Sequence, residues 1–384
     1  MNSHWGKVKL GNVLVRRKES VDIDEGKNYQ EVTVRLWGKG VTQRGEKQGC
    51  DIGAGKRFSV SAGQFIVSKI DARHGAFGIV PENLDGAVVT TDFPVYDVDP
   101  EYLDVNFLAW FSKTPTFIDA CKKASEGTTN RVRLKEHLFA EITVALPEPT
   151  EQRRIVKKIE LLNSQILLAR ELRHEIVKES HAMLSSAFHE LTQDVQYAPM
   201  SKVAPLVRRP VTVEISEEYP ELGVRSFGKG TFHKPVLNGI DVGTKKLFYI
   251  HPDDLVFSNV FAWEGAIAVA KANDKGRVGS HRFITCVPKP RVSTPEFLRF
   301  YFLTNEGLGK IREASPGGAG RNKTLGLKKL ENIEVPVPAY EKQIWFNSLQ
   351  KKMAEIQEAQ KANETELEAL MPSILDKAFK GELV

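Results

Sequence analysis

The sequence of 384 residues contains few cysteines and no long uncharged apolar run. Its three cysteines, Cys50, Cys121 and Cys286, form neither an even disulfide set nor a CxxC pair, which favours a reducing compartment. A membrane-spanning helix is not expected, because no run of about 18 apolar residues occurs. Residues 1–7 (MNSHWGK) lack the apolar core of a signal peptide. Together these absences predict a cytoplasmic protein that does not contact a membrane.

Motifs for catalysis and for cofactor or metal binding are also missing. Lys56 follows a glycine but precedes Arg57, so no phosphate-binding loop of the Walker A type is present. Residues 318–323 (GAGRNK) lack the third glycine and the preceding strand of a dinucleotide site. His174 and His181 have the wrong spacing for zinc, and the Asn-Pro-Pro-aromatic tetrad of amino-methyltransferases does not occur. We therefore expect a non-catalytic chain without a metal or cofactor of its own.

An internal repeat organises the chain. Residues 34–40 (VRLWGKG) return as residues 224–230 (VRSFGKG), 190 positions later. The same shift pairs many other residues over some 160 positions, and after one inserted residue Gln152 matches Gln343 at a shift of 191. Such a long register is hard to obtain by chance. Each half therefore has the same plan: a mixed segment, a proline-marked junction and a long charged helix.

The mixed segments combine short strands and helices. Residues 64–70 and 254–260 are short and rich in β-branched and aromatic residues, which predicts strands. Helices are predicted over residues 102–113 and 295–303 from their apolar spacing. Terminal strands are expected at residues 141–146 and 332–335, just before the prolines of the two junctions.

The long helices show heptad spacing, and a polar interruption lies near the middle of each. The first predicted stripe is Ile155, Ile159, Leu162, Ile166, Ala169, Arg173, Ile176, Ser180, Met183 and Ala187. The second is Leu349, Met353, Ile356, Gln360, Asn363, Leu367, Leu370 and Ile374. Two such helices in one chain favour an antiparallel pair, with Arg173 near Gln360 and Asn363 as a polar layer that fixes the register. Pro372 is expected to kink or restart the second helix.

The predicted fold class is α+β, with two similar mixed α/β domains. They occupy residues 1–149 and 193–338. The long helices occupy residues 150–192 and 339–384 and form an antiparallel intramolecular coiled coil that separates the domains. The predicted molecule is pseudo-two-fold. The alternative is that each helix packs only on its own domain.

Positive charge is concentrated in loops that repeat. The net charge of +5 alone is weak support for an acidic partner, but the basic segments 35–57 and 122–135 have copies at 225–246 and 310–329. Cations among Gly, Ser, Thr and Asn suit duplex DNA, because they neutralise phosphates while Arg and Asn reach base edges. Any single residue could instead be an ordinary solvated side chain. The candidates are Arg35, Lys39, Arg44, Lys47, Lys69, Arg73, Arg131, Arg133, Arg225, Lys229, Lys234, Arg282, Arg321, Asn322 and Lys323.

Aromatic residues adjoin these loops. Trp37, Phe227 and Trp263 could pack on sugars or bases, but such residues more often fill a domain core, and the core interpretation is favoured.

The junction motifs carry a family resemblance. Residues 145–156 (ALPEPTEQRRIV) and 370–383 (LMPSILDKAFKGEL) resemble hallmark segments of the specificity subunits of type I restriction–modification systems. Residues 335–343 (VPVPAYEKQ) are a looser copy, in which Lys342-Gln343 replaces a Glu-Gln pair. The resemblance covers the whole chain, including its two-copy layout. Target domains vary freely in this family, so the motif residues mark the scaffold and no recognition residue carries over by position.

The resemblance implies two target-recognition domains, each reading one half of a split DNA sequence. The paired helices would hold them apart and carry methyltransferase (modification) subunits, two in number. Those partners would methylate adenine with S-adenosylmethionine, and a separate restriction subunit would use ATP and Mg to translocate and cut DNA. The chain itself would be a non-catalytic recognition subunit.

Two other classes of function remain open. One is an enzyme with an unrecognised site, which would methylate or nick DNA without partners. The other is a coiled-coil adaptor. Charge reversal at Arg131 and Arg321 together would leave the assembly of an adaptor intact but would strongly reduce DNA binding by a recognition subunit.

Overall fold

The computed structural model describes residues 5–53, 55–127, 132–317 and 323–383. The chain forms two compact units. Unit 1 comprises Met1–Arg173 and Lys361–Val384, and unit 2 comprises His174–Gln360.

Unit 1 begins with a set of short strands and three short helices. The strands are β1 Gly6–Lys9, β2 Leu14–Arg17, β3 Ser20–Val21, β4 Asn28–Val34, β5 Val41–Gln48, β6 Arg57–Ser59, β7 Phe65–Val67, β8 Phe77–Ile79, β9 Val88–Val89, β10 Val95–Val98, β11 Ser125–Glu126, β12 Arg133–Leu134 and β13 Thr143–Leu146. The helices are α1 Val105–Phe111, α2 Pro115–Lys123 and α3 Glu136–Ala140. One sheet has the order β2-β10-β7-β8 and a second has the order β3-β6-β9-β4-β5, while β1 pairs with β13 and β11 with β12.

Burial and capping explain these elements. All three residues of β7 are buried, as expected for a short β-branched and aromatic strand inside a sheet. Asp104 caps α1, because its Oδ1 accepts hydrogen bonds from the backbone N–H groups of Asn106 (2.9 Å) and Phe107 (3.0 Å). This cap makes α1 start at Val105, three residues later than predicted. The rings of Phe77 and Phe117 meet edge to face at 5.2 Å in the core.

Unit 2 has the same plan. Its strands are β14 Tyr197–Pro199, β15 Leu206–Val207, β16 Glu218–Val224, β17 Thr231–Asn238, β18 Leu247–Tyr249, β19 Leu255–Ser258, β20 Ile267–Val269, β21 Val278–Ser280, β22 Phe283–Cys286 and β23 Glu334–Pro336. Its short helices are α5 Met200–Val203, α6 Gly239–Val242, α7 Pro295–Leu303, α8 Asn305–Glu313 and α9 Leu327–Glu331. The sheets have the orders β15-β22-β19-β20 and β17-β16-β21-β18, and β14 pairs with β23.

The two units share their strand register as well as their order. In unit 1, β4 runs parallel to β9 with Glu31 opposite Val88, and in unit 2, β16 runs parallel to β21 with Glu221 opposite Val278. Both partners are displaced by 190 positions, the shift found in the sequence. The predicted fold class, with two similar mixed units and long helices, is therefore confirmed.

Three helices form the long segments. They are α4 Pro149–Thr192, α10 Tyr340–Ala362 and α11 Glu364–Lys380. With 44 residues, α4 extends about 66 Å. The second long segment is broken at Asn363 and not at Pro372, which lies inside α11. Among the helices of the described ranges, none combines the length and apolar character needed to cross a membrane.

The buried stripe of α4 departs from a strict heptad. Ile155, Ile159 and Ile166 are buried as predicted, but Ile176 is 42% exposed and Val177 is the more buried neighbour. The stripe therefore takes one extra step of four residues after Arg173, which is a stutter. The predicted positions Met183, Ile356 and Leu370 are also exposed, because the predicted stripe is displaced by one residue from the observed one at these places.

Each unit contains a helix pair. In unit 1, the first turns of α4 and the last turns of α11 share a core, and the Phe379 ring lies 5.1 Å from the rings of both Phe107 and Phe111. In unit 2, the end of α4 meets the start of α10, where the rings of Phe188 and Phe346 are 5.6 Å apart. In both pairs opposite ends of the helical segments meet, as expected for antiparallel helices.

A buried glutamine joins each long helix to its unit. The Gln152 carboxamide donates to the carbonyl oxygens of Tyr102 and Pro147 and accepts from the Asp104 N–H, each at 2.8 Å. Gln343 repeats this clasp with the carbonyls of Val292 (3.0 Å) and Pro338 (2.9 Å). Both glutamines are fully buried. The junction motif seen in the sequence is therefore a hydrogen-bonded anchor of the helix start.

Candidate nucleic-acid interface

The longest hairpin of each unit ends in a tight basic turn. Residues 35–40 connect β4 to β5, and residues 225–230 connect β16 to β17; we call these the hairpin tips. Trp37 (φ 62°) and Gly38 (φ 65°) are both left-handed, as are Phe227 (φ 61°) and Gly228 (φ 64°). Two consecutive positive φ angles match a type I′ turn, whose first central position normally holds Asn, Asp or Gly. An aromatic residue at that position is strained.

A second loop holds each tip in place. The hub loops, residues 68–76 in unit 1 and 258–266 in unit 2, accept two backbone hydrogen bonds from the tips. In unit 1, Trp37 N–H donates to the His74 carbonyl (2.8 Å) and Gly38 N–H to the Gly75 carbonyl (2.9 Å). In unit 2, Phe227 and Gly228 donate to the carbonyls of Glu264 and Gly265, both at 2.9 Å. The tip backbone is thus fixed in the same way in both units.

The hub loops also gather the other basic segments of their own unit. In unit 1, Lys69 N–H donates to the Asp92 carbonyl (2.8 Å), and Leu134 N–H donates to the Lys69 carbonyl (2.9 Å). In unit 2, Asn259 N–H donates to the Arg282 carbonyl (2.8 Å), and Leu325 N–H donates to the Asn259 carbonyl (2.7 Å). Predicted residues that are distant in sequence therefore meet around one loop in each unit.

Several predicted cations are exposed at these places. In unit 1, they are Arg35 and Lys39, and in unit 2, they are Arg225, Lys229 and Arg282; Arg44 is exposed on β5.

Aromatic rings support four of the predicted cations in unit 2. The Arg225 guanidinium lies 5.1 Å from the Phe232 ring, and Lys229 Nζ lies 5.8 Å from the Phe227 ring. Such contacts orient a cation without neutralising its charge. The other two contacts join Lys234 to Phe283 (5.4 Å) and Lys323 to Trp263 (4.9 Å).

Three predicted cations of unit 1 form ion pairs with carboxylates. Lys47 Nζ is 3.1 Å from Glu31, and Arg133 is 3.0 Å from Asp92. Lys69 Nζ lies 2.6 Å from Glu136, which also binds Arg16 at 2.9 Å. The structure therefore gives these three cations partners within their own unit, and their contacts with DNA stay predictions.

The Glu136 carboxylate is the centre of the most buried of these ion pairs. Burial works against the charged carboxylate, but the hydrogen bonds from Lys69 and Arg16 outweigh it and hold the pKa of Glu136 below its ordinary value. The cluster links the hub loop to α3, so Lys69 has a structural role that its sequence position did not indicate.

The remaining candidates have mixed placements. Arg73 lies in the hub loop, and its buried Nε has no hydrogen-bond partner among the described residues. The predicted contacts Arg131, Arg321 and Asn322 lie outside the described residues.

The three residues proposed to fix the register of the long helices differ in burial. Arg173 in α4 and Gln360 in α10 are half-buried, whereas Asn363 is exposed at the N-cap of α11. Their action as a polar layer stays a prediction.

The core interpretation of the tip aromatics is wrong. Trp37 is 68% exposed and Phe227 is 73% exposed, because the left-handed turn directs these residues away from the sheet core. The glycines at 38 and 40, and at 228 and 230, were the sequence signal for this turn. Trp263 is half-buried in its hub loop, where its Nε1 donates to the Val260 carbonyl (3.0 Å).

Sequence reasoning also missed a polar cluster in unit 2. Asp274 is buried and accepts hydrogen bonds from His233 Nε2 (2.9 Å), Thr231 Oγ1 (2.9 Å) and Lys271 N–H (2.8 Å). Burial opposes its charge, but these donors prevail and lower the pKa of Asp274. Within the part of the chain that the structure describes, no group of three or more His, Cys, Asp or Glu side chains is arranged to hold a metal ion.

Comparisons with known proteins agree with this geometry. Residues 228–372 match the family described as Type I restriction modification DNA specificity domain. The crystal structure of the HsdS subunit from Thermoanaerobacter tengcongensis is similar with a TM-score of 0.67 and 20% identity, covering 100% of this chain and 98% of that chain.

A second solved chain, from a study of complex assembly and conformational transition of the type I R-M system, has a TM-score of 0.69 and 20% identity. The match covers 100% of this chain and 99% of that chain. No curated protein sequence matches. At this identity the solved structures show the fold alone, and the family match covers the part of unit 2 from Gly228 onward and α11 as far as Pro372. The whole chain thus shares the fold of a solved HsdS subunit, and its residues 228–372 match the type I restriction modification DNA specificity domain.

Proposed function

We propose that each unit reads one half of a bipartite DNA target. The observation that supports this proposal is the duplicated pairing of a cationic hairpin tip with a hub loop. Each tip carries an arginine and a lysine, Arg35 and Lys39 in unit 1 and Arg225 and Lys229 in unit 2, all exposed. Cations of this kind bind phosphates, whereas guanidinium groups also reach base edges in the major groove. Two such heads in one chain suit a target with two separate half-sites.

The long helices provide docking surfaces for the modification subunits in this proposal. Leu161, Leu168 and Leu172 lie seven and eleven positions apart on α4, so they share one helix face. Their side chains are 58%, 55% and 49% exposed, and they lie off the buried stripe. Exposed leucines in a row are typical of a surface that a partner covers. We propose two methyltransferase subunits as these partners.

The chemistry belongs to the partners in the same proposal. The modification subunits would use S-adenosylmethionine, and a restriction subunit would use ATP and Mg, while this chain provides recognition without catalysis. We place the complex in the cytoplasm, which the three free cysteines support.

The test uses the full chain assembled with its methyltransferase subunits and a library of random DNA duplexes. Selection of bound duplexes, and sequencing of methylated sites in a host that carries the complete system, should give one motif with two parts and a fixed gap. A single continuous motif would contradict two separate reading heads.

Charge-reversal variants show which face reads the DNA. Lys39→Glu should weaken binding to all duplex sequences, and Lys229→Glu should do the same through the tip of unit 2. Removal of one phosphate contact should reduce the slope of log affinity against log salt by about 0.9. Lys7→Glu is the matched control, because Lys7 is exposed on β1, which pairs with β13 and not with the hub loop. Equal effects of all three variants would contradict the assignment of the tips.

A further inference from the structure

The aromatic residue at each hairpin tip is both exposed and strained. Trp37 is 68% exposed at a φ of 62°, and Phe227 is 73% exposed at a φ of 61°. A bulky side chain in the left-handed region is costly, and such strain is concentrated at functional sites. The centroid of the Trp37 ring lies 5.7 Å from that of the His74 ring, and most of the Trp37 surface stays exposed. Stability of the unit alone does not account for a large ring at this position.

The tip backbone is rigid, so each ring is presented in one place. The two hydrogen bonds to the hub loop fix the turn in each unit. The glycine that follows each ring is also tightly packed. A Cβ at Gly38 would lie 2.9 Å from the Lys113 side chain, and a Cβ at Gly228 would lie 2.6 Å from the Leu303 side chain. A ring held this way loses little further freedom when it binds.

The surroundings of each ring favour a polyanion as its partner. Residues 35–41 (RLWGKGV) and 225–231 (RSFGKGT) contain two cations each and no carboxylate. The nearby Glu264 carboxylate accepts a hydrogen bond from Ser226 Oγ at 3.1 Å. A flat ring between an arginine and a lysine combines a stacking surface with phosphate contacts, a pairing that nucleic-acid-binding proteins use.

We infer that Trp37 and Phe227 stack on bases, each within the half-site that its own unit reads. The flanking cations hold the phosphates while the ring lies against a base at an opened step. This inference rests on the proposed function, because it assigns the residues through which each tip recognises DNA. Since every base has a π face, stacking depends on how easily a step opens and adds preference without hydrogen bonds to base edges.

The experiment measures DNA affinity of the complete complex at several salt concentrations, using the target duplex obtained by selection. Trp37→Ala should weaken binding about 5- to 150-fold, the range for loss of one stacked base, with the salt slope unchanged. Lys39→Ala should instead reduce that slope by about 0.9. Trp37→Phe should retain most of the affinity. Tyr102→Ala is the matched control, because Tyr102 is also exposed in unit 1 but lies outside the tip.

Two further measurements separate stacking from folding. Trp37→Gly removes the ring and also relieves the backbone strain, so it should fold at least as stably as the natural chain yet bind as weakly as Trp37→Ala. 2-Aminopurine, placed at each half-site position in turn, should report one step whose emission changes on binding, and Trp37→Ala should abolish that change. Phe227→Ala should have the same effect in the other half-site.

The outcomes distinguish this inference from the proposed function. If Trp37→Ala and Phe227→Ala bind within twofold of the natural chain while Lys39→Ala binds weakly, the tips bind DNA and the stacking inference is wrong. If the natural complex selects no sequence at all, the proposed function itself fails.

Discussion

Replacing Gln152 with leucine should detach the start of α4 from unit 1. The carboxamide is fully buried and makes three hydrogen bonds, each at 2.8 Å, with the backbone of Tyr102, Pro147 and Asp104. Leucine has a similar volume, so the change creates little cavity but leaves three backbone groups without partners, one in a buried and two in part-buried hydrogen bonds. An unsatisfied buried group costs about 1–3 kcal/mol and a part-buried group costs less, so we expect a total loss of about 3 kcal/mol. This is a large share of the about 5–15 kcal/mol that stabilises a typical protein.

Urea unfolding and hydrogen exchange measure this loss. With a slope of about 1–3 kcal/mol per molar urea, the unfolding midpoint of unit 1 should fall by about 1–3 M. Exchange should speed up most in α1, whose cap residue Asp104 donates its own N–H to Gln152. The control is Gln165→Leu on the exposed face of the same helix, which should change stability by less than about 0.5 kcal/mol. If Gln152→Leu behaves like this control, the clasp does not anchor the helix.

Gln152→Glu sharpens the same test through its pH dependence. A carboxylate keeps the acceptor for the Asp104 N–H but faces the carbonyl oxygens of Tyr102 and Pro147 without a proton to donate. Protonation in acid restores one donor, so this variant should lose less stability relative to the natural chain at low pH than at neutral pH. A variant that is equally stable relative to the natural chain at both pH values would refute the donor role assigned to the carboxamide.

Two further predictions concern the carboxylates of Glu136 and Asp274. Because Lys69 and Arg16 lower the pKa of Glu136, its contribution to stability is present above the ordinary carboxyl pKa and is lost as the pH falls through the lowered value, so Glu136→Gln should flatten the fall of the unit 1 melting temperature between pH 7 and 3. An unchanged pH profile would contradict this. Asp274→Asn should destabilise unit 2 by about 1–3 kcal/mol, since an amide N–H₂ would then face donors such as His233; calorimetry of the variant checks the value, and natural stability would show that these hydrogen bonds contribute nothing.

The repeat made much of the fold predictable from the sequence. It set the correspondence of the two halves, and short apolar runs located strands such as β7 and β19. The bounds of α7 agree with its apolar spacing, since Thr294 caps it and Pro295 begins it. Before α1 the apolar spacing extends beyond the capping residue, so the predicted helix was longer than the observed one. Pattern gives the element, whereas the cap decides where it starts.

Two features could not be predicted for physical reasons. A strict heptad is one way to pack a helix pair. In this chain the buried stripe contains a stutter after Arg173, so Val177 is more buried than the predicted Ile176. Similarly, hydrophobicity predicted that Trp37 fills the core, whereas the left-handed turn excludes it. In both cases the backbone geometry decides which side chain is buried, and the pattern of side chains in the sequence does not reveal that geometry. The ion pairs of Lys69 depend on tertiary contacts in the same way.

The two units keep the same frame and differ in the side chains that the frame presents. Backbone bonds from the tip to the hub loop, the register of the parallel strands and the glutamine clasp all recur at the repeat shift. At equivalent places around the hub loop, unit 1 has Lys69 and Asp92 where unit 2 has Asn259 and Arg282. A hydrogen bond between backbone groups tolerates any side chain, so such positions can change charge without loss of the fold. In the proposed function, two units with the same backbone structure and different surface side chains would be suited to reading two different half-sites. Exchanging Asp92 and Arg282 between the units should therefore alter which bases are selected while leaving both melting transitions in place.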